Sequence, residues 1–83
     1  MKTFYVYIVK CKDDSFYTGI TNDIEQRLKE HNNWISPKSY TYNRRPVELV
    51  FVETFIDFQI AEQWEKQIKG WSRKKKQALI DKN

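Results

Sequence analysis

One cysteine, Cys11, stands in a chain of 83 residues. No intrachain disulfide can form, so apolar burial alone must hold the fold. A chain this short buries roughly 60% of its unfolded surface, and its stability is correspondingly modest. It makes one domain over residues 1–83, with no room for a second. At 40% apolar and 31% charged, the chain is too apolar to be disordered. Aromatics reach 16%, so Phe, Tyr and Trp are expected to fill much of the core.

Several classes drop out. The apolar runs are only a few residues long, too short to span a bilayer, so no membrane partner is expected. Met1 to Tyr5 lacks the apolar stretch of a signal peptide. A small domain without disulfides points to a reducing compartment, the cytoplasm. One Cys and one His cannot build a Cys/His zinc site. There is no GxGxxG and no GxxxxGK[ST] loop.

The net charge of +4 is uneven. Residues 1–57 carry eight basic and eight acidic side chains. Residues 66–83 carry Lys66, Lys69, Arg73, Lys74, Lys75, Lys76 and Lys82 against Asp81 alone. A polyanion is the natural partner for such a field, and a solvated helical face is the plain alternative.

Phe4 to Lys10 is dense in β-branched and aromatic residues and reads as a strand. Asp13-Asp14-Ser15 is a turn, and Phe16 to Ile20 a second strand closing a hairpin. Asn22 followed by Glu25 has a capping-box pattern and starts a helix that ends near Asn32, which can cap it. Asn33 to Pro46 reads as a long loop. Val47 to Phe55 is a third strand, and its unbroken apolar centre predicts the buried middle position. Asp57 caps a helix with Phe58, Ala61, Trp64, Glu65 and Ile68 at helical spacing. Gly70 stops it, and Ser72 caps a last helix, Arg73 to Ile80. The expected fold is α/β, with a three-stranded, mainly antiparallel sheet flanked by helices in the order β-β-α-β-α-α.

Candidate chemistry sits on few side chains. Tyr7 and Tyr17 lie on the two arms of the hairpin, where strand tyrosines are ordinarily core or edge aromatics. Arg27 and His31 are one helical turn apart, and on an exposed face they can grip a phosphate. Glu65 falls near the buried side of its helix, where a carboxylate is costly unless paired or metal-bound. Lys69, four residues on, is the surface partner it could take.

Together these residues say more. Tyr5-Val6-Tyr7, Tyr17-Thr18-Gly19-Ile20-Thr21, Arg27 to Asn32 and Glu65 to Trp71 resemble, in order and spacing, the motifs of the GIY-YIG nuclease superfamily. The closest resemblance is to its small, stand-alone bacterial members, and it covers essentially the whole chain. It implies that Tyr7 and Tyr17 sit beside the attacking water and that Arg27 contacts the scissile phosphate. It implies that Glu65 binds a divalent metal, Mg²⁺ or Mn²⁺. His31 matches a position often His in the family and is an alternative proton acceptor. Gly19 matches the glycine of the second motif. Tyr5 stands where the family name has glycine, and Lys66-Gln67 where the excision-repair branch has an asparagine.

The expected activity is metal-dependent hydrolysis of a phosphodiester in nucleic acid, DNA ahead of RNA. Arg44, Arg45, Lys66, Lys69, Arg73, Lys74, Lys75 and Lys76 are the expected phosphate contacts. Trp34, Tyr40 and Tyr42 could stack on unpaired bases or cover the core. No base-reading element is evident, so weak sequence preference and a structured or single-stranded target are expected, and a partner protein could supply targeting. Two other readings stay open: a nucleic-acid-binding module without turnover, and a protein-interaction domain using its aromatic surface.

Overall fold

The computed structural model describes residues 2–33 and 44–82. Trp34, Tyr40 and Tyr42 lie outside the described residues. The elements are β1 (Phe4–Lys10), β2 (Phe16–Thr21), α1 (Ile24–Asn33), β3 (Glu48–Phe55), α2 (Phe58–Lys69) and α3 (Arg73–Asp81). They follow the order expected from patterning. The sheet runs β2-β1-β3, antiparallel at both junctions.

The middle strand is β1, not β3. Val6, Tyr7, Ile8 and Val9 are all buried, as a strand covered on both faces requires. The unbroken apolar run of β3 has another cause. The register shifts between Ile8, which pairs with Phe51, and Val9, which pairs with Leu49. Val50 is the extra residue of a bulge. It packs with Phe51 against the α2 side, while Leu49 packs on the α1 side. Two neighbours turned to one face imitate the pattern of a doubly covered strand.

Strand alternation makes two cores. Val6, Ile8, Phe51, Ala61 and Ile68 form one beneath α2 and α3. Tyr7, Val9, Cys11 and Val47 form the other, with Ile24 and Leu28 of α1 packed on it. The centre of the first is mainly aliphatic, against the expectation of an aromatic core. Phe4, Phe16, Phe55, Trp64 and Trp71 ring its margin, half-buried. Three short strands cannot cover large rings on every side.

Helix starts follow local chemistry. Asp23 rather than Asn22 caps α1, its Oδ1 accepting the Gln26 N–H at 3.0 Å. Its carboxylate also suits the positive end of the helix dipole. Asn32 acts outside its helix. Its side chain accepts the Val47 N–H at 2.7 Å and donates to the Val47 carbonyl at 3.3 Å, which ties the end of α1 to the approach to β3. Gly70 closes α2 with φ −83°, so the left-handed stop open to a glycine is not used. Ser72 Oγ accepts the Lys75 N–H at 3.2 Å and starts α3.

Asp57 Oδ1 accepts the N–H groups of Gln59 and Ile60, at 2.8 and 3.3 Å. Asp57→Ala is expected to cost about 1 kcal/mol. The shift of the urea midpoint at constant slope measures it.

Candidate active site

The site is built around the hairpin. Tyr7 of β1 lies opposite Gly19 of β2, and Tyr17 lies opposite Val9. All four side-chain positions face α1. A Cβ at Gly19 would come within 2.6 Å of Tyr7 Cζ and closer still to the hydroxyl. The phenol ring therefore lies across the glycine, and any side chain there would displace it.

Helix α1 supplies the imidazole. His31 is only 7% exposed, not part of an exposed polar face. The reason is spacing: Ile24, Leu28 and His31 are separated by four and then three residues, which is the apolar stripe of the helix. Tyr7 Oη and His31 Nε2 are 2.9 Å apart. The His31 ring centroid lies 5.1 Å from that of Tyr17 and 5.9 Å from that of Tyr7, both edge-to-face. Arg27 stays half-exposed on the flank of this stripe, with Nε 3.2 Å from Glu30 Oε1.

The electrostatics keep the buried pair neutral. Burial pushes the Tyr7 phenol well above its ordinary range, and the Tyr17 phenol adds to this, while nearby Arg27 pulls it down. Burial also lowers the His31 imidazole below its usual value, reinforced by Arg27 and opposed by Glu30. Near neutral pH the phenol keeps its proton and the imidazole carries no charge.

That shift has a consequence for stability. The folded His31 binds a proton less readily than the unfolded chain, whose imidazole titrates near 6.5. Its contribution is present above that pH and is lost as pH falls through the folded value. Urea midpoints of wild type and His31→Gln, compared between pH 8 and 5, are expected to show wild type losing more on acidification. Parallel curves would remove His31 as the source.

Glu65 comes from the opposite layer. It is 6% exposed among Ala61 and Ile68 on the sheet side of α2. Lys69 Nζ sits 2.7 Å from Glu65 Oε2. The pair expected on the surface does form, but its carboxylate is buried. The hydrogen bond to Glu65 raises the Lys69 pKa, and Tyr17 contributes to the same shift. Tyr17 is thus within electrostatic reach of Lys69 around the β2 edge. Tyr7, His31 and Arg27 lie on the α1 side of the sheet and Glu65 on the α2 side, with β2 between them.

The donor set suits a hard divalent cation of the Mg²⁺ kind held largely by water and phosphate. Glu65 is a single buried carboxylate whose present counter-charge is a half-exposed, movable ammonium. Among the described residues no group of three His, Cys, Asp or Glu side chains could enclose an ion.

The basic residues scatter around this centre. Arg44 Nε pairs with Asp13 at 3.0 Å, and Arg45 Nη1 donates to the Asn32 carbonyl at 3.4 Å. Arg73 lies 4.3 Å over the Phe16 ring and donates to the Asp14 carbonyl. Lys75 stacks 4.4 Å over Trp71. Lys66 pairs loosely with Glu62 at 3.9 Å, and Lys74 is exposed. Lys76 is lowered by burial and by Lys69 nearby. Sequence reading missed this last neighbour. Lys69 and Lys76 lie on different helices, and no spacing rule links them across Gly70.

No described helix is long and apolar enough to cross a membrane. The GIY-YIG catalytic domain model matches residues 3–78. A UPF0213 protein of Staphylococcus saprophyticus is 51% identical over 80 residues, 96% of each chain. The UPF0213 protein YazA of Bacillus subtilis is 48% identical over 77 residues, 93% of this chain and 77% of that one. The solution NMR structure of a UPF0213 protein from Bacillus halodurans superposes with a TM-score of 0.63 at 40% identity, covering 95% of this chain and 83% of that one. The fold, the ordered motifs and these likenesses agree, and the chain belongs to the GIY-YIG domain family, among its small UPF0213 members.

Proposed function

We propose that the protein is a metal-dependent endonuclease that hydrolyses phosphodiester bonds in nucleic acid. The observation that carries this reading is the Tyr7–His31 contact at 2.9 Å, with Tyr17 against the same imidazole. A phenol that holds its proton is a poor base alone. Hydrogen-bonded to a neutral imidazole, it can take a proton from water while passing its own to His31 Nε2. Arg27, half-exposed beside this pair, stabilises the charge that grows on the phosphoryl oxygens. Glu65 is the residue that would hold a divalent cation, which when bound supplies further positive charge to the phosphate. The basic residues of α2 and α3 hold flanking phosphates, with DNA ahead of RNA, and the setting is cytoplasmic.

The test is cleavage of duplex, single-stranded, branched and looped DNA, and of RNA. Wild type and Glu65→Gln are compared with Mg²⁺, with Mn²⁺ and with chelator. Wild type is expected to cut at least one form, with chelator and Glu65→Gln each reducing cleavage by about 10²-fold or more. Metal-dependent cleavage that survives in Glu65→Gln would sink the metal role.

A second reading has its own observation. Arg27 and Glu65 are both occupied by neighbours on their own helices, Glu30 and Lys69. A binding module without turnover keeps them so. Salt-sensitive binding with no cleavage of any substrate would favour it.

A further inference from the structure

The Glu65–Lys69 contact joins one of the most buried carboxylates to a side chain that is 52% exposed. A Glu followed by Lys four residues later is a common helical pair, worth little when both ends are in water. Here one end is not. The buried carboxylate needs a cation, and Lys69 reaches in from the surface to supply one.

The surroundings are not balanced. Lys76 lies close enough to Lys69 to feel its charge. Lys69 alone of the two is paired with Glu65, and Lys76 adds a second positive charge near Lys69. The local surplus is positive, which suits an arriving phosphate. Lys69 can serve either anion, because its stem is flexible and half in water.

We propose that Lys69 is an internal counter-cation that competes with the divalent metal for Glu65 and moves to a substrate phosphate when the metal takes its place. The inference rests on the reading of Glu65 as the metal residue. Without nucleic acid, Lys69 holds the carboxylate and weakens metal binding. With nucleic acid present, the backbone draws Lys69 away and frees Glu65. Metal and nucleic acid then favour each other's binding, and by linkage the coupling is reciprocal. Metal loading is thereby weaker before the domain holds a substrate.

The experiment is a Mn²⁺ titration followed by electron paramagnetic resonance, without nucleic acid. It uses wild type, Lys69→Met and Glu65→Gln, with circular dichroism and thermal melts to establish that each is folded. Lys69→Met is expected to bind Mn²⁺ roughly fivefold more tightly than wild type, the size of losing a competing half-exposed ion pair. Glu65→Gln is expected to lose the site. Should Lys69→Met fold poorly, Lys69→Gln gives the same comparison with a polar stem. Equal or weaker binding in the folded Lys69 variant, with binding still lost in Glu65→Gln, overturns the competition and leaves the metal assignment standing. Mn²⁺ binding that is unchanged in Glu65→Gln, or absent from all three, removes the metal assignment and the competition with it.

Discussion

Tyr7→Ala is expected to destabilise the domain by about 3–5 kcal/mol, the range for removing a buried aromatic ring. Domains of this length hold roughly 4–12 kcal/mol in all, so the variant should lose a large share of its stability. Tyr7 is 1% exposed on the central strand, lies across Gly19 and contacts His31. Gly19, directly beneath the ring, has no side chain to fill the space. Tyr7→Phe separates the ring from the hydroxyl. It keeps the packing and removes the Tyr7–His31 hydrogen bond, at about 1 kcal/mol. If the hydroxyl takes part in proton transfer, cleavage by Tyr7→Phe falls by about 10²-fold or more while the domain stays folded. Full turnover in Tyr7→Phe would reduce Tyr7 to a packing residue.

Arg27→Ala is expected to do the reverse. Its guanidinium is half-exposed, and its pair with Glu30 is worth less than about 1 kcal/mol, so folding should hardly change. Cleavage should drop by about 10²–10³-fold, as when one charge-stabilising donor is removed from an active site. Arg27→Lys should recover only part of the loss, because an ammonium cannot grip two phosphate oxygens with a planar fork. Single-turnover rates, beside urea midpoints of the same preparations, measure both effects. An Arg27→Ala enzyme with normal turnover would exclude Arg27 from the phosphate.

The order of elements was legible in the sequence because each boundary carries its own chemistry. Asp57 and Ser72 accept the backbone N–H groups that a cap should, and β1 has the bounds its composition suggests. What was not legible depends on which face a residue meets. The apolar run of β3 reads as a central strand because a bulge turns Val50 and Phe51 to the same side. A linear pattern cannot show a register shift set by the neighbouring strand. His31 reads as surface when paired with Arg27, yet belongs with Ile24 and Leu28 once the helix is packed. Its stripe was visible in the spacing, but a polar residue type masked it. The electrostatic influence of Tyr17 on Lys69 has no sequence signature at all, since it links residues more than fifty positions apart.

The pairing of Tyr7 with Gly19 also limits how such a chain can vary in length. The two residues are joined through the short turn around Asp14, whose φ is 67°. Adding or deleting one residue in that turn would shift β2 by one place against β1. Phe16, Thr18 and Ile20 would then face α1, and Tyr17 would turn toward α2. Gly19 would no longer sit beneath the phenol. A single-codon insertion would thus disturb the hydrophobic layers and the tyrosine pair together. Drift in this hairpin is open to substitution but closed to one-residue changes in length.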